Sequence, residues 1–246
     1  MNILAIETTG AFASVAAAYA DVSEGRLAQF EIRAHVQGHD EFSHLQNLTP
    51  QIDEALSDAG LKIGDVDAIA VSCGPGSFTG IRIGVSTARA LAQVLDLPCI
   101  PVLSLKALSM RIDGEGALVC PILDARRSQV YGAGYAPEEI IPPGPYTLEE
   151  FLDKVEESGR ERVIFMGDGV DKYAKAIEDR ASAGGERVDF APEDVRYQDA
   201  ETVALQGARL AAEGRSCSYG ELEPEYMRMA EAERRLREKK AEEADG

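Results

Sequence analysis

The sequence predicts an α/β protein of two lobes with a cleft between them, and three observations predict it. Strand-like and helix-like segments alternate along almost the whole chain. The stretch "AIETTGAFASVAAAY" is echoed by "ILDARRSQVYGAGY": an apolar strand ends in an acid (Glu7, Asp124), then comes a turn, then a strand ending in tyrosine (Tyr19, Tyr135). The offset is 117 residues at the acids and 116 at the tyrosines, as a duplicated lobe requires. Supply is the third observation, since 45% hydrophobic residues in 246 suffice for two cores.

"NILAIETT" reads as a first strand and "FASVAAAYA" as a second, after a turn at Gly10. "GRLAQFEIRAH" follows the turn at 23–25 as a third, and such close spacing implies antiparallel hairpins. "DEFSHLQNLTPQIDEALSDAG" is helical, with Leu45, Leu48, Ile52, Ala55, Leu56 and Ala59 on one stripe. Pro50 implies either a bend or a fresh helix start capped by Thr49. "VDAIAVSC" has the unbroken apolar pattern of a strand buried on both faces. A helix with Ile81, Val85, Ala88, Leu91 and Leu95 on one side comes next, then the strand "PCIPV" and the short helix "SLKALSM". The second lobe opens with a hairpin and continues as "TLEEFLDKVEES" (helix), "RVIFMGDG" (strand and glycine turn), "VDKYAKAIEDR" and "ETVALQGARLAAEG" (helices). Boundaries are set at 1–103 for the first lobe, 104–222 for the second, and 223–246 for a charged, solvated helical tail.

A formal net charge of −18, from 43 acidic against 25 basic residues, opposes any chain that grips a nucleic-acid backbone by itself. "MNILAIE" lacks a basic start and carries Glu7 inside its apolar run, so it reads as a strand rather than a secretion signal. No apolar run reaches membrane-spanning length. Cys73, Cys99, Cys120 and Cys217 show no C-x-x-C spacing, and are expected as buried free thiols of a cytoplasmic protein.

The candidate chemistry sits in "SCGPGSFTGIRIGVSTARALA", residues 72–92. Gly74, Gly76 and Gly80 lead into a helix whose free N–H groups and partial positive charge suit an anion, with Ser77, Thr79 and Arg82 as further donors. The spacing is neither the dinucleotide fingerprint nor a P-loop, so a tight strand-to-helix turn is the competing reading. Glu7, with Thr8 and Thr9, and Asp124 would position a metal-bound nucleotide, or are only polar strand ends. Arg126 and Arg127 suit a phosphate or a partner's carboxylates, or are plain turn residues. His35, His39 and His44 are the only histidines; Gly38 breaks any helix shared by the first two, so solvated polar residues, with Asp40 and Glu41, are expected there rather than a metal site. No nucleophile motif is present.

Two hairpin-opened lobes with an acid ending each first strand resemble the actin-like, hexokinase-like (ribonuclease H-like) superfamily of ATPases and sugar kinases. Within it, "GPGSFTGIRIGVSTARALA" is similar to the bacterial TsaB (YeaZ) family, and "IETT", "HLQNLTP", "LDARRSQVYGAGY" and "PEYMRMAEAER" agree. The resemblance implies a relative of TsaD, the subunit that transfers a threonylcarbamoyl group to an adenosine of tRNA. TsaD carries its metal on an H-x-x-x-H pair, where this chain reads "PVLSLKALSM"; Ser104, Leu105, Lys106 and Ala107 cannot hold iron or zinc.

The resemblance therefore implies a non-catalytic subunit that binds and activates TsaD, beside the ATPase TsaE. It implies a homodimer when TsaD is absent, and tRNA contact only through the complex. No stably held cofactor or metal is expected, only weak ATP or ADP binding in the complex. The implied partner surface is a four-helix contact using His44, Leu48, Ile52, Ala55, Ile81, Gly84, Val85 and Ala88, so Ala88→Glu or Leu48→Glu is expected to leave a folded monomer that loses its partner. A stand-alone small-molecule kinase or metallopeptidase of the same superfamily, and a self-associating scaffold, are the alternatives; "FMGDGV" (165–170) is the kinase reading's adenosine loop, but no catalytic base is identifiable.

Overall fold

The computed structural model describes residues 1–38, 44–184 and 187–227. His39, Asp40, Glu41 and the tail beyond 227 lie outside them, as does the side chain of His44.

Both halves use one strand order. The first sheet runs β3 (Arg26–Gln37), β2 (Ser14–Ser23), β1 (Asn2–Glu7), β4 (Ala68–Gly74), β5 (Cys99–Leu103). β1, β2 and β3 pair antiparallel, and β4 and β5 continue from β1 in parallel. The second runs β10 (Arg187–Phe190), β9 (Arg162–Met166), β6 (Leu118–Asp124), β7 (Gln129–Tyr135), β8 (Glu139–Thr147). There too a three-stranded antiparallel meander extends through parallel strands. The short sequence echo is thus a whole repeated sheet.

The hairpins, buried strands and main helices lie where the hydrophobic patterns place them. β8 and β10 were not legible. β8, "EIIPPGPYT", carries three prolines, which lack the N–H that an interior strand must donate; at the sheet's edge that N–H has no strand to serve. β10 has four residues. Helix α1 (His44–Asp58) runs through Pro50 as one element, so the fresh start at Thr49 is not used. Pro50 is exposed, where water can take up the carbonyl left without its partner.

Helix α2 (Phe78–Leu95) and α1 cover one face of the first sheet: Leu48, Ile52, Ala55, Ile81, Val85 and Ala88 pack with Leu4, Ile6, Ile69 and Val71. Helix α7 (Ala200–Ala212) covers the other face, packing Val203, Ala204 and Ala208 on Ile3, Ala5, Ala68 and Ala70. The expected second lobe, 104–222, therefore needs correction, because its last helix belongs to the first sheet. Small residues make this fit: a Cβ at Gly207 would stand 2.7 Å from the Cβ of Ala70. In the second sheet α4 (Leu148–Glu157) and α5 (Gly169–Gly184) bury Phe151, Val155, Tyr173 and Ile177 against one face. The short helix α3 (Ser104–Ser109) lies between the lobes, its Leu105 and Leu108 packing on the second sheet.

The chain then returns. Cys217 and Cys99 exchange backbone hydrogen bonds of 2.9 Å each, Leu222 is fully buried, and the Glu225 N–H donates to the Cys73 carbonyl at 2.7 Å. Residues 217–227 thus strap over the ends of β5 and β4. All four cysteines are free; Cys217 is half-buried and the others are buried. Burial pushes the Cys73 thiol up to about 12 and the Cys99 thiol up to about 11, so neither is a nucleophile at neutral pH. No helix among the described residues is long and apolar enough to cross a membrane.

Candidate functional site

The glycine loop closes on the chain's own β1–β2 turn. The Ser77 N–H donates to the Thr9 carbonyl at 2.8 Å, and Ser77 caps α2 by accepting from the Gly80 N–H at 3.2 Å. The Thr8 hydroxyl donates to the Gly80 carbonyl at 2.8 Å. Cβ atoms at Gly80 and Gly84 would collide with the Thr8 carbonyl and hydroxyl oxygens, and one at Gly76 would stand 2.6 Å from the Thr9 carbonyl. The glycines let backbone meet backbone. Of the N–H groups that would cradle a phosphate, that of Ser77 is spent on the Thr9 carbonyl and that of Gly80 on the Ser77 cap, as a tight strand-to-helix turn uses them. Thr79 and Arg82 stay outside: Arg82 Nε donates to the Tyr226 hydroxyl at 3.0 Å, and its guanidinium lies over the Phe78 ring, which stacks on Tyr226.

Glu7, at the end of β1, is fully buried. Its Oε1 accepts from the Thr9 N–H and, at 2.6 Å, from the Thr9 hydroxyl. Thr9 Oγ1 lies 3.2 Å from Ser104 Oγ, which lies 2.8 Å from Ser72 Oγ. The start of α3 thus supplies a hydroxyl to a sealed polar cluster. Burial pushes the Glu7 carboxyl above its ordinary value, against the Thr9 hydrogen bonds and the neighbouring Ser72 hydroxyl.

Asp124, at the matching end of β6, is served differently. Its Oδ1 accepts from the Arg126 N–H at 2.9 Å, from Lys172 at 3.0 Å and from the Tyr173 hydroxyl at 3.3 Å. The partners of Glu7 lie around the first sheet, those of Asp124 in the second lobe. The turn beyond β6 holds Arg126, Arg127 and Ser128 with positive φ of 61°, 53° and 59°, a left-handed run without glycine.

A third charged group joins elements far apart in sequence. Asp199, the N-cap of α7, is nearly buried, with Oδ2 3.1 Å from both His35 Nε2 of β3 and Arg111 Nη1 beyond α3. Burial alone would raise the Asp199 carboxyl, but His35 and Arg111 outweigh it and hold it below the ordinary range. The bond to Asp199 raises His35 in turn. Arg111 also donates to the Asp194 carbonyl at 2.9 Å and lines a cavity of about 450 Å³ with Phe12, Gln37, Glu193, Tyr197 and Gln198. His35 is thus committed to an acid rather than solvated at a strand end, and no group of three or more metal-ligating side chains occurs among the described residues. Sequence reasoning missed Asp199, Arg111, Ser72 and Lys172. Only Asp199 carried a signal, as an Asp just before an apolar helical run.

The expected partner surface also needs correction. Leu48, Ile52, Ala55, Ile81, Gly84, Val85 and Ala88 are all buried within the first lobe, because one face of each helix must cover the sheet. The outward side of α2 carries Thr87, half-buried, and Ala90 and Val94, exposed, with Val94 at 84%; Ile83, at its edge, is half-buried and also packs against the first-lobe core. These lie half a turn around the helix from Ile81, Val85, Ala88 and Ala92.

Residues 41–235 match the family model described as TsaD: tRNA N6-adenosine threonylcarbamoyltransferase. The tRNA threonylcarbamoyladenosine biosynthesis protein TsaB of Bacillus subtilis is 33% identical over 78% of this chain and 82% of its own. The protein of that name from Escherichia coli is 35% identical over 56% of this chain and 57% of its own. The solved structure of YeaZ from Pseudomonas aeruginosa superposes with a TM-score of 0.67 at 23% identity, over 92% of this chain and 99% of that one. The two-lobe α/β fold, with one strand order in both sheets, is shared with that structure. The chain belongs to the TsaB (YeaZ) family of tRNA threonylcarbamoyladenosine biosynthesis proteins.

Proposed function

We propose that this chain serves tRNA threonylcarbamoyladenosine synthesis as a non-catalytic subunit that binds and activates a TsaD-type transferase. One observation carries the reading: α2 spends its first turn and inner face on its own lobe and keeps a mostly apolar, acid-free face outside. From 78 to 95 the only charges are Arg82 and Arg89, in a chain of net charge −18. Ile83, Thr87, Ala90 and Val94 follow the 4-3-4 spacing that suits packing against a partner helix. The small Thr87 and Ala90 at the middle of that row permit close approach. The two arginines suit carboxylates on the partner's rim. The TsaE-type ATPase and weak ATP or ADP binding belong to the assembled complex, tRNA is reached only through it, and the free chain pairs with itself when the transferase is absent.

The test is tRNA modification with the transferase alone, this chain alone, and both together. Only the pair, completed by the ATPase and the threonylcarbamoyl donor, is expected to turn over. Val94→Glu and Ala90→Glu should keep the fold and lose co-purification with the transferase, because a charge there must be desolvated on docking. Full-strength binding by both variants would overturn this surface.

A further inference from the structure

We propose that Glu7 is held as a neutral carboxylic acid with its proton on Oε2, a structural keystone joining β1, β4 and α3 rather than a carboxylate that positions a cation. The donor count leads there. An ionised carboxylate offers about four acceptor sites and needs donors or a cation at both oxygens. Oε1 takes both Thr9 donors, whereas Oε2 is fully buried and accepts nothing. The carboxyl's other hydroxyl neighbour is Ser72, which lies 2.8 Å from Ser104 Oγ; either hydroxyl can be the donor between them.

Among the described residues no positive charge acts on Glu7. The charged group that acts on Glu7 is Asp199, an acid, whose own partners His35 and Arg111 are committed to it. The Cys73 thiol is the other titratable neighbour and is neutral. The approach from the loop is filled as well, since Gly76 and Gly80 bring the backbone against Thr8 and Thr9. A buried anion with an empty oxygen, an acid for a neighbour and no cation is the costliest arrangement available; a proton on that oxygen removes the charge.

This state does not depend on whether a partner covers α2, so loss of transferase binding and ionisation of Glu7 would be told apart. The measurement is carbon-13 NMR of the side-chain carboxyls of the full chain labelled at glutamate, titrated from about pH 4 to pH 8. The Glu7 resonance is assigned by its loss in Glu7→Gln and, should that variant fail to fold, in Glu7→Asp. It is expected to stay at the neutral-acid position at pH 7, after exposed glutamates have moved to the carboxylate position. Infrared spectra of the unaltered chain should show a protonated-carboxyl carbonyl band at pH 7. Millimolar Mg-ATP should leave the resonance in place. A Glu7 resonance that titrates with the exposed glutamates, or reaches the carboxylate position on adding Mg-ATP, overturns the assignment.

Discussion

Glu7 and Asp124 occupy the same place in two copies of one sheet and differ in almost everything else. Glu7 is sealed among hydroxyls, whereas Asp124 is 27% exposed and meets Lys172 at 3.0 Å. The difference lies in what covers each strand end. Over β1 the glycine loop and α3 press backbone and small hydroxyls onto the acid. Over β6 a left-handed turn leaves the acid open to water and to a lysine from α5. Duplication repeats the scaffold, while what packs over each strand end decides the surroundings of each acid.

The contrast breaks most easily at the first-lobe turn. Gly80→Ala should cost roughly 3 kcal/mol or more, because its Cβ meets the Thr8 carbonyl with no room to yield. Gly169→Ala, in the second-lobe turn, meets the Ile122 carbonyl at 2.9 Å and should cost clearly less; denaturant midpoints of the two variants compare them. Equal losses would mean that the two turns are packed alike. Ala88→Glu should unfold or aggregate the chain where Val94→Glu does not, reversing the outcome expected from sequence, and circular dichroism with size exclusion reads the difference.

The acids themselves yield pH signatures. The folded state keeps the Glu7 proton that the unfolded chain gives up above 4.5. Stability should therefore fall as pH rises from there through the raised folded value, then level off. His35 adds a second slope: its stabilising bond to Asp199 is fully present below 6.5 and is lost as pH rises through its own raised value. His35→Gln should flatten that upper part in melting curves taken across neutral pH, and an unchanged slope would place its origin elsewhere. Asp124→Asn should move the melting temperature least of all, since a half-exposed ion pair is screened by water and salt.

Much of this was legible in local patterns. Alternating hydrophobicity marked the hairpins, the unbroken run 68–73 marked a strand buried on both faces, and the strand–acid–turn–strand echo marked the duplication. The expected partner surface falls on buried residues for a definite reason. A helical stripe shows which residues share a face, but the most regular apolar stripe is the one the sheet consumes. The weaker stripe through Val94, interrupted by Thr87, is the one left outside. α7 went to the wrong lobe because its small-residue face reads alike against either sheet.

The sequence by itself determined the two-lobe repeat, the order of most elements, the free cysteines and the family, since these follow from short-range periodicity and contiguous motifs. Only the tertiary structure decided what the glycine loop holds, which acid is buried, that Asp199 gathers His35 and Arg111, and that residues 217–227 strap the first lobe. Each of these depends on groups dozens to nearly two hundred residues apart meeting at hydrogen-bond distance. No local propensity encodes such meetings, because burial and charge are set by the packed surroundings rather than by a residue's neighbours in the chain.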